Sequence, residues 1–262
     1  MLNWIEKRVF ESKSVYIKVV IIVAEIIASL HGAGKKFFFN QVLTDISLKV
    51  QSGEILGLIG PSGSGKTTCI RCMLGMEDLT EGEALVLNEE MPKRKVLDRI
   101  GYMGQETALY ETLTAHENMV FFGRLKNLKG EELKKEIDKN LKLVELENTG
   151  GKTVSKFSGG MKRRLSLAIT LLGSPGFIVL DEPTVGIDPK LRLSVWQQLR
   201  EFAGSGAGII VTTHVMSEAE KCDRVALLVE GKIFAQGTPK ELMTEFKAAS
   251  IEEVFINMEV DS

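Results

Sequence analysis

A glycine-rich stretch constrains the fold of this chain more than any other feature. It reads Gly60-Pro61-Ser62-Gly63-Ser64-Gly65-Lys66-Thr67-Thr68, behind a strand-like run at 54–59 and ahead of a helix-compatible segment at 67–74. Glycines let such a loop wrap closely around a phosphate, with backbone N–H groups pointing inward at the start of a helix. The G-x-x-x-x-G-K-T spacing predicts that Lys66 reaches the β- and γ-phosphates of a nucleotide and that the Thr67 hydroxyl ligates Mg²⁺. The stretch therefore predicts a nucleotide-binding loop.

Length and composition bound the fold and the partners. With 262 residues, 44% hydrophobic and 26% charged, the chain is long enough for one large α/β domain or two small ones. The formal net charge of −2 and the lack of a long basic tract argue against a nucleic-acid partner. Three cysteines and no secretory signal indicate a reducing compartment. Cys69 and Cys72 have no second pair to complete a metal site, so core thiols are predicted.

The most hydrophobic stretch, 15–30, is not predicted to cross a membrane. Lys18 and Glu25 interrupt it, so it falls short of the ~18–20 apolar residues that a spanning helix needs. Its many β-branched residues favour a strand from about residue 22. Residues 1–21 form an N-terminal extension of unknown role. An extra helix, a contact with a partner and no role at all remain open for it.

The apolar pattern predicts alternating strands and helices. Strands are expected at 22–30, 42–50, 83–87 and 100–103, at 177–180 and 209–213, and in a hairpin at 225–229 and 232–235, with a turn at Gly32-Ala33-Gly34 between the first two. The uninterrupted apolar runs at 177–180 and 209–213 are typical of central parallel strands covered on both faces. The stretch 115–172 has helical periodicity, and Asp188-Pro189 is typical of a helix start.

Chemically reactive residues follow the two buried strands. Asp181 and Glu182 end the first, where open α/β sheets place their ligands, and His214 ends the second. Asp181 is predicted to hold Mg²⁺ and Glu182 to polarise a water for attack on the γ-phosphate. Alone, His214 reads more simply as a surface histidine.

A second anion-binding device is predicted at Ser158-Gly159-Gly160, where Ser158 would cap a helix with a basic first turn. An ordinary capped helix is the alternative.

Together these motifs resemble the ATP-binding cassette family over about 22–244. Ser158-Gly159-Gly160 resembles the family's signature motif, Asp181-Glu182 the Walker B pair, and Val185-Gly186-Ile187-Asp188 the D-loop. Gln105 resembles the loop glutamine that contacts Mg²⁺ and the attacking water, and His214 the switch histidine. One of Phe37, Phe38 and Phe39 resembles the aromatic residue that stacks on adenine, and spacing favours Phe37.

The resemblance implies a fold and a set of site residues. The expected fold is α/β: a P-loop NTPase core with a mostly parallel central sheet, an antiparallel β subdomain and an inserted α-helical signature subdomain. The domain would span 22–244, with the helical subdomain at about 106–172 and a tail at 245–262. The implied cofactors are ATP and Mg²⁺. The implied catalytic residues are Glu182, His214, Gln105 and Lys66. The implied nucleotide contacts are Phe37, residues 60–68, Ser158, Gly159 and Gly160. The implied Mg²⁺ ligands are Thr67, Gln105 and Asp181, and Asp188 is implied in communication between subunits.

The resemblance also implies partners and a location. A second cassette, of identical sequence in the simplest case, would bind head to tail, so that Ser158 of one faces the γ-phosphate held by Lys66 of the other. Separate integral membrane subunits would place the chain on the cytoplasmic inner face of a membrane. The Ser158–Arg164 stretch, with Met161 where the family commonly has glutamine, resembles cassettes of drug, lipid or polysaccharide exporters with ABC-2 type membrane subunits. A soluble ATP-driven switch acting on ribosomes, DNA or Fe–S assembly is the alternative.

Overall fold

The structure is a computed structural model that describes residues 25–260, so the predicted N-terminal extension lies outside the described residues. The strands are β1 (Ile26–Phe37), β2 (Asn40–Gln51), β3 (Ile55–Ile59), β4 (Glu81–Val86), β5 (Glu89–Glu90), β6 (Ile100–Met103), β7 (Phe177–Asp181), β8 (Gly208–Thr213), β9 (Arg224–Val229) and β10 (Lys232–Gly237). The α-helices are α1 (Lys66–Met73), α2 (Ala115–Leu125), α3 (Gly130–Leu143), α4 (Gly159–Thr170), α5 (Pro189–Gly204), α6 (Met216–Ala219), α7 (Pro239–Glu245) and α8 (Ile251–Val260). Short 3-10 helices occupy Arg94–Arg99, Glu147–Thr149 and Val154–Lys156.

The central sheet has the order β10-β9-β3-β8-β7-β6. All neighbouring strands pair in parallel except the edge strand β10, which forms an antiparallel hairpin with β9. Every residue of β3, β7 and β8 is buried, as the uninterrupted apolar runs predict. The register pairs Ile59 with Thr213 and Asp181 with Thr212. The carboxyl ends of these three neighbouring strands therefore meet at one edge of the sheet, where such folds bind ligands.

A second, antiparallel sheet has the order β2-β1-β4-β5. The turn predicted at Gly32–Gly34 is wrong: β1 continues through it, and the chain reverses at Phe38 and Phe39 instead. The β1–β2 register slips around Ala33, and Gly32 has a φ of +56°. A bulge absorbs such a glycine without ending the strand.

Helix α1 lies between the two sheets. One apolar cluster joins its buried side chains to both sheets: Leu43, Ile46, Leu56, Leu58, Cys69, Ile70, Cys72 and Met73. Burial raises the pKa of Cys69 to about 12 and that of Cys72 to about 11. Both thiols are free, which confirms their prediction as core residues. Gly75, with a φ of +66°, follows the helix in the left-handed conformation that commonly ends helices.

The helices α2, α3 and α4 are inserted between two strands that are neighbours in the sheet, β6 and β7. A capping box of Thr114 and Glu117 begins α2. Leu133, Ile137 and Leu141 form the buried face of α3, as their spacing predicts. The chain therefore leaves the sheet and returns beside the strand that it left.

In the last part of the chain, α7 and α8 pack against each other, and α8 also packs against α6. Asp188 caps α5, with Pro189 at the first helical position, and a capping box of Thr238 and Glu241 begins α7. Ile251 and Val254 bury one face of α8 in the core. Within residues 25–260, no helix combines the length and apolar composition that crossing a bilayer requires.

Candidate functional site

The predicted phosphate loop joins β3 to α1 at the carboxyl edge of the central sheet. Gly63 and Gly65 have φ values of +80° and +104°, which side chains rarely adopt. A Cβ added at Gly60 would lie 2.0 Å from the carbonyl oxygen of Leu228. The loop backbone therefore needs glycine at these positions, for conformation at two of them and for space at the third.

Lys66 lies beneath this loop and is only 8% exposed. Its Nζ donates hydrogen bonds to the carbonyl oxygens of Gly60 at 2.8 Å and Pro61 at 2.9 Å. Burial lowers the pKa of Lys66, while the carboxylates of Glu182 and Asp181 act in the opposite direction. The ammonium is therefore poorly hydrated and lies close to the loop interior. An anion bound in the loop would compensate for the hydration that the ammonium lost on burial.

The buried hydroxyl of Ser64 gives an independent test of fit. Its Oγ has no hydrogen-bond partner among residues 25–260. Buried polar atoms are rarely left without partners. A phosphate oxygen in the loop would supply an acceptor for this hydroxyl, so the residues present fit a bound nucleotide.

Oxygen-bearing side chains gather next to Lys66. Thr67 Oγ1 donates to Asp181 Oδ2 at 3.1 Å, and Gln105 Nε2 lies 3.4 Å from Thr67 Oγ1. The other oxygen of the fully buried Asp181 accepts from the Thr212 hydroxyl. Carboxylate, hydroxyl and amide oxygens are the ligands that Mg²⁺ prefers, and Mg²⁺ binds through few protein groups plus phosphates. These three predicted ligands are thus brought together and fit the cation.

Glu182 and His214 meet at the ends of β7 and β8. The distance from His214 Nδ1 to Glu182 Oε1 is 3.1 Å. Glu182 has a left-handed backbone with a φ of +53°, and its N–H bonds both the carbonyl and the hydroxyl oxygen of Thr212. This backbone is uncommon for a residue with a side chain. The pair is open to solvent, with side-chain exposures of 25% for Glu182 and 59% for His214.

The start of α4 presents the second predicted anion-binding device. Ser158 is the N-cap, and its Oγ accepts from the Met161 N–H at 3.3 Å. A Cβ at Gly159 would meet nothing within 4 Å. Ser158 and Gly159 are exposed, so the start of the helix is open to solvent at the residues before Met161.

Two further predicted residues lie on the surface. Phe37 ends β1 and is 39% exposed, with Lys35 Nζ 4.6 Å from the centroid of its ring. Asp188 is exposed at the start of α5, where its Oδ1 accepts from the Leu191 N–H at 3.0 Å.

A family model described as ABC transporter matches residues 43–185, more than half of the chain. This chain belongs to the ABC transporter family. It carries the ATP-binding domain of that family, and its α/β fold with a parallel sheet, an antiparallel sheet and inserted helices is the predicted one.

Relatives and solved structures agree with this assignment. The chain is 39% identical to the Nod factor export ATP-binding protein I of Rhizobium sp. (strain N33) over 235 residues, 88% of this chain and 77% of that protein. It is 45% identical to ABC transporter A family member 5 of Arabidopsis thaliana over 206 residues, 77% of this chain but 22% of that protein. The chain thus spans about a fifth of the length of the plant relatives that it matches.

A structure described as the ATP-binding subunit of an ABC transporter superimposes with a TM-score of 0.84 at 26% identity, over 89% of this chain and 99% of that one. A dimeric ATP-binding cassette in a post-hydrolysis state with ADP and Pi gives 0.74 at 27% identity, over 80% and 98%.

Three residues at this ABC site were missed by sequence reasoning. Thr212 binds Asp181, and Arg163 binds the backbone on both sides of the site. The buried Glu218 accepts from Thr184 Oγ1 and, at 2.9 Å, from Thr213 Oγ1. The one signal in the sequence for these contacts was the pair Thr212-Thr213 at the end of an apolar strand. The contacts of Arg163 and of Glu218 with Thr184 join segments that are distant in sequence.

Proposed function

We propose that this chain binds and hydrolyses ATP with Mg²⁺ and so powers an exporter whose membrane-spanning subunits are separate chains. One observation carries the proposal. The buried Lys66, the Thr67–Asp181 contact and the Glu182–His214 pair converge at the carboxyl edge of the central sheet. This is the set of groups that phosphoryl transfer to water requires: phosphate binding, cation binding and a polarised nucleophile.

Each residue has a role that follows from its position. Lys66 and the loop N–H groups bind the β- and γ-phosphates. Thr67, Asp181 and Gln105 would hold Mg²⁺, which when bound neutralises charge on the phosphates. Glu182 accepts a hydrogen bond from the attacking water and orients it. His214 fixes the Glu182 carboxylate and donates to the γ-phosphate.

The division of the chain that fits this role has an ATPase domain at 22–244, a helical subdomain at about 106–172 and a tail at 245–262. The helices α2–α4 and the exposed Ser158–Gly160 segment belong to the helical subdomain.

A second copy of the cassette completes each reaction centre. The first turn of α4 is open to solvent at Ser158 and Gly159. Asp188, which follows Glu182 closely in the sequence, is also exposed. A helix start of this kind binds phosphate oxygens through its N–H groups. The neighbour described as dimeric and bound to ADP and Pi supports the pairing of two cassettes. A head-to-tail pair would place Ser158 of one copy opposite the nucleotide on Lys66 of the other.

The nucleotide base stacks on Phe37, because this ring lies against Lys35 and is much less exposed than the rings of Phe38 and Phe39. Replacing Phe37 with alanine should weaken ATP binding about tenfold, since base–aromatic stacking contributes on the order of 1–3 kcal/mol. Calorimetric titration with ATP measures this change. Phe39→Ala is the matched control, because Phe39 is fully exposed at the adjacent turn and should not affect affinity. Equal losses in both variants would contradict the assignment to Phe37.

A membrane subunit docks on an apolar groove between the helical insert and the sheet. The groove has a volume of about 280 Å³ and includes Leu97, Leu109, Phe122, Leu125 and Ile169. Leu97 and Leu125 are more than half exposed, and Tyr110 and Phe121 extend the apolar surface. The export function in the name of the Rhizobium relative supports a place in an exporter. As part of an exporter, the chain would lie peripherally on the cytoplasmic inner face of a membrane.

Co-purification tests this docking surface. The tagged chain, expressed in its native cell and extracted in mild detergent, should retain an integral membrane protein. Leu125→Glu should abolish retention without changing basal ATPase activity, because the added charge would be buried in an apolar contact. Leu193→Glu, on the exposed face of α5, is the matched control. Recovery of ribosomes or DNA in place of a membrane protein would favour the soluble-switch alternative.

A further inference from the structure

Arg163 lies on α4 where three parts of the ATP site meet. Its Nη1 donates to the carbonyl oxygens of Gln105 at 2.7 Å and Gly104 at 3.3 Å. Its Nη2 donates to the carbonyl oxygens of Asp181, at 2.6 Å, and Glu182. The four terminal N–H groups of one planar guanidinium therefore bind four carbonyl groups, two on each side. Only a fork with fixed geometry spans both segments in this way.

Both of these segments carry proposed reaction residues. One contains Gln105 and the other contains Asp181 and Glu182. The left-handed backbone of Glu182 is strained for a residue with a side chain, and such conformations persist only where neighbouring groups fix them. Thr212 binds the N–H of Glu182, and Arg163 binds its carbonyl oxygen. The conformation is therefore held from both ends of the residue.

The guanidinium of Arg163 is a half-buried positive charge held between fixed groups. Burial lowers its pKa, while the charges of Asp181 and Glu182 act in the opposite direction. Arginine remains protonated in proteins, so the charge is retained between these carboxylates and the helix. The same helix begins at Ser158, about one and a half turns away.

We propose that Arg163 is a positioning residue that sets the separation between Gln105 and Glu182 and couples it to the position of the signature segment Ser158–Gly160. It touches neither nucleotide nor cation, and acts through the two backbone segments. When the nucleotide of a partner cassette binds the start of α4, it shifts this helix. The guanidinium of Arg163 then transmits the shift to Glu182 and Gln105 of the same chain. The coupling rests on the proposed ATPase function and dimer, whereas the bridging of the two segments does not.

Hydrogen–deuterium exchange on the nucleotide-free chain tests the bridging directly. Arg163→Ala should increase exchange both at 104–106 and at 181–188, because each segment loses two hydrogen bonds from a charged donor. Arg164→Ala is the matched control on the same helix. Arg164 donates to the Val144 carbonyl at 3.1 Å and to Glu145, so its loss should increase exchange near 144–146 only.

The kinetic readout separates positioning from general destabilisation. In Arg163→Ala, kcat should fall about 10- to 100-fold, because small displacements of reacting groups have effects of this size. Affinity for ATP without Mg²⁺, measured by calorimetry, should stay within about twofold, since the phosphate loop is untouched. Arg163→Lys should recover part of kcat, because one ammonium reaches fewer carbonyls than the fork. Arg164→Ala should leave kcat nearly unchanged.

Unchanged exchange at either segment in Arg163→Ala, or equal losses of kcat in the Arg163 and Arg164 alanine variants, would overturn the proposal. If Arg163→Ala does not fold, Arg163→Lys decides it: increased exchange at both segments supports bridging, and wild-type exchange at both refutes it. A wild-type chain without ATPase activity would instead refute the proposed function, and the exchange result would still test the bridge.

Discussion

Glu182→Gln should bind MgATP with wild-type affinity yet hydrolyse it about 10²- to 10⁴-fold more slowly, the range that a general base contributes. Glutamine keeps the shape of the side chain and its contact with His214 at the ends of β7 and β8. It cannot accept a proton from the attacking water, so the loss should fall on kcat and spare binding.

Two measurements check the Glu182 variant together. Phosphate release under saturating ATP gives kcat, and calorimetry gives the affinity. Because the nucleotide is retained, light scattering should show a long-lived dimer with ATP that the wild type forms only briefly. Glu220→Gln is the matched control, since Glu220 is exposed directly after α6, the helix that follows the site. Wild-type turnover in Glu182→Gln would remove Glu182 from its assigned role.

Lys66→Ala should weaken ATP binding about 10- to 100-fold, because hydrogen bonds from a charged donor contribute about 1.5–3 kcal/mol each. The ammonium is held at the loop carbonyls of Gly60 and Pro61, and burial leaves it poorly hydrated. Isothermal titration with ATP measures the loss. A thermal melt of the same sample shows whether the fold is retained.

A second variant isolates the charge of Lys66 from its packing. Lys66→Met retains the buried stem and removes the ammonium, so its affinity should match that of Lys66→Ala. Lys36→Ala, an exposed lysine on β1, should bind ATP as the wild type does. An unchanged affinity in both Lys66 variants would contradict a phosphate-binding role for the loop.

The sequence predicted the parts of this site that depend on local spacing. The phosphate loop, the carboxylates after β7 and the cap at Ser158 each lie within a few residues of a recognisable strand or helix end. Parallel strands bring their carboxyl ends together, so the meeting of Asp181 with Thr67 follows from the fold class.

The remainder depends on contacts that local patterns do not encode. The basic residues after Ser158 predict only a positively charged helix start, yet Arg163 among them reaches carbonyls 58 and 59 positions earlier in the chain. The turn predicted at Gly32 failed because a glycine with positive φ marks a bulge as well as a turn. Ser217 and Glu220 have the spacing of a capping box, but α6 has Val215 as its N-cap, because the Thr213 hydroxyl binds the Val215 N–H and forms a different turn.

The insertion of α2–α4 between two adjacent strands has a mechanical consequence. Two peptide connections tie this block to the sheet, and they lie at opposite edges of it because β6 and β7 run parallel: one follows Met103 at the carboxyl edge and the other precedes Phe177 at the amino edge. Rotating the block about the line through these two connections leaves every ladder bond of the sheet in place. The sheet can therefore stay rigid while the helices rotate, and one of the two connections about which they rotate lies next to Gln105.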